Sequence, residues 1–250
     1  MTITRTSAAL IATLLIFCAP LYAENQNSNW CLKQKHQIIG NLELHVSSNK
    51  LQIHFLDNHT ILIADSKSQK LYFFSSITKK LYSSKLYSFM LPVSRIYLMT
   101  APDLQPDPRK WKLVGLTSVP NFGPASIYKN SFEITAGARN AEKGFIVGTG
   151  KNLKDATKLV LSNEVQCDPA LIQLVCRLYS LPSLGKFPIS AKINSESVER
   201  LSTIKASKEA RPATDFELPK GFSICKTPEE VTGNYNQTDF DYMIGPKSEK

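Results

Sequence analysis

The sequence predicts an α+β fold dominated by antiparallel β structure, and three observations predict it. From Ile38 to Tyr87 apolar and polar residues alternate with a period of two, broken by Ser47-Ser48-Asn49, Asp57-Asn58-His59 and Asp65-Ser66-Lys67-Ser68. Alternation punctuated by turn residues about every ten positions is the pattern of a meander. Only one segment has a clear helical signature: Asp168-Pro169 followed by Leu171, Leu174, Val175 and Leu178, a capping residue and a first-turn proline ahead of an apolar stripe. Internal repeats, charge blocks and inter-domain linkers are all lacking, so one domain is the simplest partition of 250 residues.

Taken in order, Leu42, Leu44 and Val46 alternate with Glu43 and His45, and Leu51, Ile53 and Phe55 with Gln52 and His54. Ile61 and Ile63 follow, then Leu71 and Phe73, with Tyr72 and Phe74 on the other face. These give strands near 38–46, 50–57, 59–65, 69–75 and 79–83. Residues 84–98 suit a short helix or an irregular cover, and 101–110, with three prolines, a loop. Strands resume near 111–118, 125–129, 131–136, 143–148 and 157–162, ahead of a helix at 169–180. A turn at 182–188 leads to strands near 189–194 and 197–206. Residues 211–221 cross in extended form, and Phe222 to Cys225 makes a last short strand. A sheet of some ten strands tends to curl, close or split in two.

Residues 1–23 read as a secretory signal peptide: Arg5 as the charged start, an apolar run from Ala8 to Ala19, Pro20, and Leu21-Tyr22-Ala23 as the cleavage tripeptide. A membrane anchor is the alternative, for which the apolar run is short. Export to the periplasm or beyond follows, with the domain at 24–231 and a polar tail at 232–250. Beyond the signal peptide four cysteines remain, Cys31, Cys167, Cys176 and Cys225. An even count in an exported chain suggests two disulfides. Cys167 and Cys176 would lie ~13 Å apart along the helix, beyond the ~7 Å between Cα atoms that a bridge tolerates. Cys31 and Cys225 would then each pair with one of them. Four unpaired buried thiols are the alternative.

The composition, 42% hydrophobic and 20% charged, is that of a globular chain and excludes disordered and collagen-like classes. Its net charge of +9 includes a basic run, Lys67, Lys70, Lys79, Lys80 and Lys85, interleaved with Tyr72, Phe73, Phe74 and Tyr82. In an exported chain such a run points to an anionic membrane surface rather than nucleic acid; a solvated sheet face is the plainer account. Catalytic signatures are lacking. Gly144 to Lys151 misses the phosphate-loop spacing, no G-x-S-x-G or H-E-x-x-H occurs, and the Asp239 and Asp241 pair sits in the polar tail. No C-x-x-C occurs, and His36, His45, His54 and His59 have no obvious carboxylate partner, so no metal or cofactor is expected.

Two short motifs follow the meander: Leu181-Pro182-Ser183-Leu184-Gly185-Lys186-Phe187-Pro188 and Phe216-Glu217-Leu218-Pro219-Lys220-Gly221-Phe222. In this order they resemble the C-terminal part of the LolA/LolB-like periplasmic lipoprotein carriers, in layout over most of residues 38–231. The resemblance implies a curved antiparallel sheet or incomplete barrel covered by one or two helices, whose apolar concavity takes the acyl chains of a lipid or lipidated protein. Candidate lining residues are Leu42, Leu44, Leu51, Ile53, Phe55, Ile61, Ile63, Leu71 and Phe73, with Leu174 and Leu178 from the helix; core packing is the alternative for each. The expected function is thus an exported, noncatalytic binding protein for a lipid or lipidated partner. A secreted module that grips anionic surfaces through the basic-aromatic face at 67–85 is the second expectation.

Overall fold

The computed structural model describes residues 29–91, 108–130, 157–193, 198–209 and 216–233. The signal peptide, the strands expected at 131–136 and 143–148, the Gly144–Lys151 segment and all but the first two residues of the tail lie outside them. The N-terminal half is a meander of β1 (Asn29–His36), β2 (Gly40–Val46), β3 (Lys50–Phe55), β4 (Thr60–Asp65), β5 (Lys70–Ser75) and β6 (Lys80–Lys85). A 3-10 turn at Leu86–Ser88 follows. The second half contains β7 (Trp111–Val119), β8 (Gly123–Asn130), β9 (Thr157–Ser162), helix α1 (Pro169–Leu178), β10 (Phe187–Ile193), β11 (Val198–Glu209), β12 (Ser223–Ile224) and a five-residue helix α2 (Pro228–Thr232). All twelve strands join one sheet in the order β12-β6-β5-β4-β3-β2-β1-β11-β10-β9-β8-β7, antiparallel except for the β12–β6 pair. Among the described residues β7 and β12 have one neighbour each, so the described sheet is not closed into a barrel.

Local chemistry sets the turns of the meander. His59, Gln69 and Lys79 each hold a φ of 53 or 54° just before the next strand. Side chains fold the preceding residues inward: Asp65 Oδ1 accepts from the Lys67 and Ser68 amides, and Ser75 Oγ from those of Ile77 and Thr78. At Gly40, with φ +89°, a Cβ would collide with the Asp57 carboxylate, which accepts the Asn41 amide at 2.8 Å.

Directly paired residues share a face, and the register therefore sorts the side chains. Leu32, Leu44, Ile53, Leu62 and Phe73 form one row across β1–β5 on the inner face. Ile61 and Ile63, expected beside them, lie on the outer face opposite His54 and Gln52. The run Ile61-Leu62-Ile63-Ala64 is apolar at every position, so alternation cannot select a face. The pairing of Phe55 with Thr60 does, and it turns Leu62 and Ala64 inward. Phe74, Leu81 and Ile63 make a small outer cluster closed by Phe216 and Phe222 from the C-terminal segment, with Phe222 edge-on to Phe74 at 5.4 Å.

The sheet is strongly curled. Trp30 on β1 stacks on Phe122, which directly precedes β8, with ring centroids 5.9 Å apart. Four strand steps separate β1 from β8, which in a flat sheet is ~19 Å. Likewise the Asp168 amide, six residues past β9, donates to Ser48 O in the β2–β3 turn at 2.7 Å. The register shifts lie at Lys33/Gln34, Leu113/Gly115, Pro188/Ser190 and Ala191/Lys192, all in pairs from β1 through β11 to β7. Bulges add twist and bend strands, so they supply the curl. α1 lies on the inner side, capped by Asp168, whose Oδ1 accepts the Ala170 amide.

Among the described residues, three elements go beyond the sequence expectation: β1, whose Lys33-Gln34-Lys35-His36 end reads as polar; a 3-10 turn at Pro108–Lys110, at the end of the expected loop; and α2, which is too short for an apolar stripe and rests on its Thr227/Glu230 capping box.

His36 pairs with Leu201 on the inner face and stacks on Tyr179 at 5.2 Å. Burial, then the nearby Arg200 charge, lowers its pKa to about 4. The unfolded chain takes up this proton near 6.5. Stability from the neutral imidazole is therefore full above pH 6.5 and lost as pH falls towards 4. Urea unfolding should show a loss approaching ~3 kcal/mol over that window, much of which His36→Phe removes; an equal loss in the variant contradicts the assignment. The register is checked by Leu62→Ala, expected to cost ~2–5 kcal/mol, against Ile61→Ala at roughly half that or less.

Candidate functional site

Nine of the eleven lipid-lining candidates share one core. Leu42, Leu44, Leu51, Ile53, Phe55, Leu71 and Phe73 on the inner face, and Leu174 and Leu178 on α1, belong to one cluster in which none of them is more than 3% exposed. They line no open cavity. Helix α1 itself fills the concavity, tied down by polar bonds at its C-terminal end. Arg177 Nη1 and Nη2 donate to Tyr87 O and Leu86 O, both at 2.7 Å, and the Tyr179 hydroxyl donates to Gln34 Oε1 at 2.7 Å. Ile61 and Ile63 do not join this group.

The opposite end of the same face is unpacked. Register carries the inner row from His36 through Leu201, Ala191, Leu159 and Tyr128 to Leu113 on the edge strand β7. The next inner row ends, through Leu161 and Ser126, at Leu116. The bulge between Leu113 and Gly115 lets two leucines three residues apart face the same way. Leu113 is 57% and Leu116 72% exposed.

The other face of these strands is basic. Lys112 pairs with Lys129, Lys129 with Lys158 and Lys158 with Lys192, four ammonium groups on four adjacent strands, ending at Glu199 opposite Lys192. None of the four lysines makes an ion pair among the described residues. Like charges placed directly opposite one another weaken a sheet. Beside the ladder lies an indentation of about 340 Å³ lined by Val119, Phe122, Val160 and Ile189, by hydroxyls including Ser190, Ser202 and Thr203, and by Lys158 and Lys192. A second, of about 350 Å³ at the start of α1, holds Lys186, whose ammonium is already bound by Asn163 Oδ1 and Ser126 Oγ. Sequence reasoning missed the ladder because its members are scattered along the chain and meet only through the register.

The basic run at 67–85 does not present its aromatic residues together. Phe73 points inward, Phe74 lies under Phe222, Lys79 sits over the Phe222 ring, and Lys80 pairs with Glu230. Among the described residues Cys31, Cys167, Cys176 and Cys225 form no disulfide. Cys31 pairs with His45 on the outer face of β1, Cys176 is buried in α1 on the inner side, Cys167 precedes that helix, and Cys225 follows β12 behind β6. The expected bridges fail because the sheet stands between Cys31 and the helix cysteines. The sequence also left the histidines without a carboxylate. Glu43 supplies one, its Oε1 2.9 Å from His45 Nε2. Two residues apart on a strand, they share a face, a signal that alternation already contained.

No family model matches the chain, and no curated protein matches it. Among solved structures, an uncharacterized conserved protein from Thermus thermophilus is similar over 80% of this chain and 91% of that one, at 11% identity and a TM-score of 0.41. A likeness of that degree supports no conclusion about this chain.

Burial, with Asp168 beside one of them, pushes the Cys167 and Cys176 thiols up to about 12. They stay protonated at neutral pH and make poor nucleophiles. Alkylation of the denatured chain without reductant should label Cys31, Cys167, Cys176 and Cys225, whereas native Cys167 and Cys176 should react slowly at pH 8. A disulfide-linked peptide in the unreduced digest contradicts this arrangement.

Proposed function

We propose that the chain is an exported, noncatalytic binding protein for a lipid or lipidated partner, which it meets at the open β7 end of its curled sheet. The observation that carries this reading is the two-sided edge: exposed Leu113 and Leu116 on the inner side, and the Lys112, Lys129, Lys158 and Lys192 ladder on the outer. An amphiphile with an anionic headgroup matches both, its apolar part against the leucines and its charge against four lysines that make no ion pair among the described residues. The neighbouring indentation is at the lower end of the ~300–1,000 Å³ of ligand pockets, and its mixture of apolar, hydroxyl and ammonium groups suits the same chemistry. The deeper concavity is a reserve. An acyl chain enters it only by displacing α1, whose C-terminal end is held by the Arg177 and Tyr179 bonds.

Co-sedimentation with vesicles tests the proposal. The chain should bind phosphatidylglycerol vesicles and leave phosphatidylcholine vesicles largely unbound, with binding falling as salt rises. Lys129→Gln combined with Lys158→Gln should weaken it by roughly thirtyfold, at ~1 kcal/mol per lysine near an anionic surface. Leu116→Gln should weaken it at every salt concentration. Equal binding to both vesicle types, or a double variant that binds like the parent, contradicts the proposal.

A further inference from the structure

We propose that Cys31, Glu43 and His45 form a binding site for a single thiophilic divalent cation of the Zn²⁺ class on the outer face of the β1–β2 pair. Cys31 and His45 are directly paired across the two strands, and Glu43 lies two residues along β2 on the same face. The Cys31 sulfur, a Glu43 carboxylate oxygen and a His45 ring nitrogen all lie within 4.8 Å of one another. Zn–S near 2.3 Å, Zn–N near 2.0 Å and Zn–O near 2.1 Å, arranged tetrahedrally, put ligand atoms ~3.3–3.7 Å apart. The cluster therefore needs about an ångström of side-chain adjustment, within the reach of rotamer changes and without moving the strands.

The donor set selects the metal. A thiolate, an imidazole and one carboxylate suit Zn²⁺ and its neighbours, while Mg²⁺ and Ca²⁺ prefer oxygen ligands throughout. A fourth group stands next to the three. His54 is paired with Glu43 across β2 and β3, and its ring meets that of His45 edge-on at 5.7 Å. A second, independent feature points to the same place. Gln52, the other cross-strand neighbour of His45, is 8% exposed and leaves its Oε1 buried without a partner. A water held on the cation is a donor for such an oxygen. Access runs past Glu43, whose side chain is 25% exposed, and past Lys33, whose ammonium lies 3.5 Å from Glu43 Oε2 and competes with a cation for that carboxylate. The site joins β1 to β2, so an ion there fastens the strand on which the two halves of the sheet meet.

The experiment uses the full chain, stripped by a chelator and titrated with Co²⁺ alone, then with Zn²⁺ in competition. The expected result is one Co²⁺ per chain with a near-ultraviolet thiolate-to-cobalt charge-transfer band, displaced by Zn²⁺. Cys31→Ser should abolish the band, and His45→Ala should lower the affinity on the order of 100-fold or more, since even outer-shell partners are worth 10–100-fold. Lys33→Ala should bind more tightly than the parent, an effect that misfolding cannot imitate, and His59→Ala, in an exposed turn, should bind as the parent does. Circular dichroism of each variant separates loss of ligand from loss of fold. Absence of the band in the parent, a band that survives Cys31→Ser, or a folded His45→Ala chain with the parent's affinity overturns the proposal.

Discussion

The structure depends on β1 pairing on both sides. Its residues face β2 along one edge and β11 along the other, so Asn29 lies opposite Glu209 while Trp30 lies opposite Val46. The first of these contacts closes a loop of most of the chain, the costliest kind to make in conformational entropy. Once made, it welds a local meander that ends at Lys85 to a set of strands that begins only at Trp111. With it, Leu32 becomes the middle of a row that runs into both halves, and α1 has a curled surface to fill.

The consequences differ at the two ends. Towards β6 the strands pair in unbroken register, and the outer face is covered by the chain's own C-terminal segment through Phe216 and Phe222. Towards β7 the bulges bend the strands round until Phe122 reaches Trp30. Among the described strands the sheet ends there without closing. An open edge is ordinarily blunted by charge, and here lysines do line one side, but Leu113 and Leu116 remain bare on the other. That asymmetry is why the functional reading is placed at this edge rather than in the packed interior, where every candidate residue already has neighbours.

Much of this was legible in residue order, for physical reasons that can be named. Period-two alternation located β2, β3 and β5 to within a few residues because apolar residues recur at every second position of each, although on β5 the outer-face Phe74 is buried as well. The Asp168-Pro169 cap located α1 because it ends a strand segment and begins an apolar stripe. Alternation failed at Ile61-Leu62-Ile63-Ala64, where both faces are buried, and in β1, where Gln34 and His36 face inward and are buried through hydrogen bonds and ring stacking. The candidate site was less legible. A lysine ladder exists only once Lys112, Lys129, Lys158 and Lys192 are brought into register, whereas the basic run that stood out in sequence is divided between two faces and a covering segment.

The most direct measurement places a reporter at the edge itself. An environment-sensitive fluorophore on Leu116→Cys, watched while vesicles carrying brominated acyl chains are added, reads contact between this strand and lipid. Quenching is expected with anionic vesicles, reduced by salt and by loss of the lysine ladder. A fluorophore that stays in water while the protein is bound to the vesicles would contradict lipid contact at β7, and would move the binding surface elsewhere on the sheet.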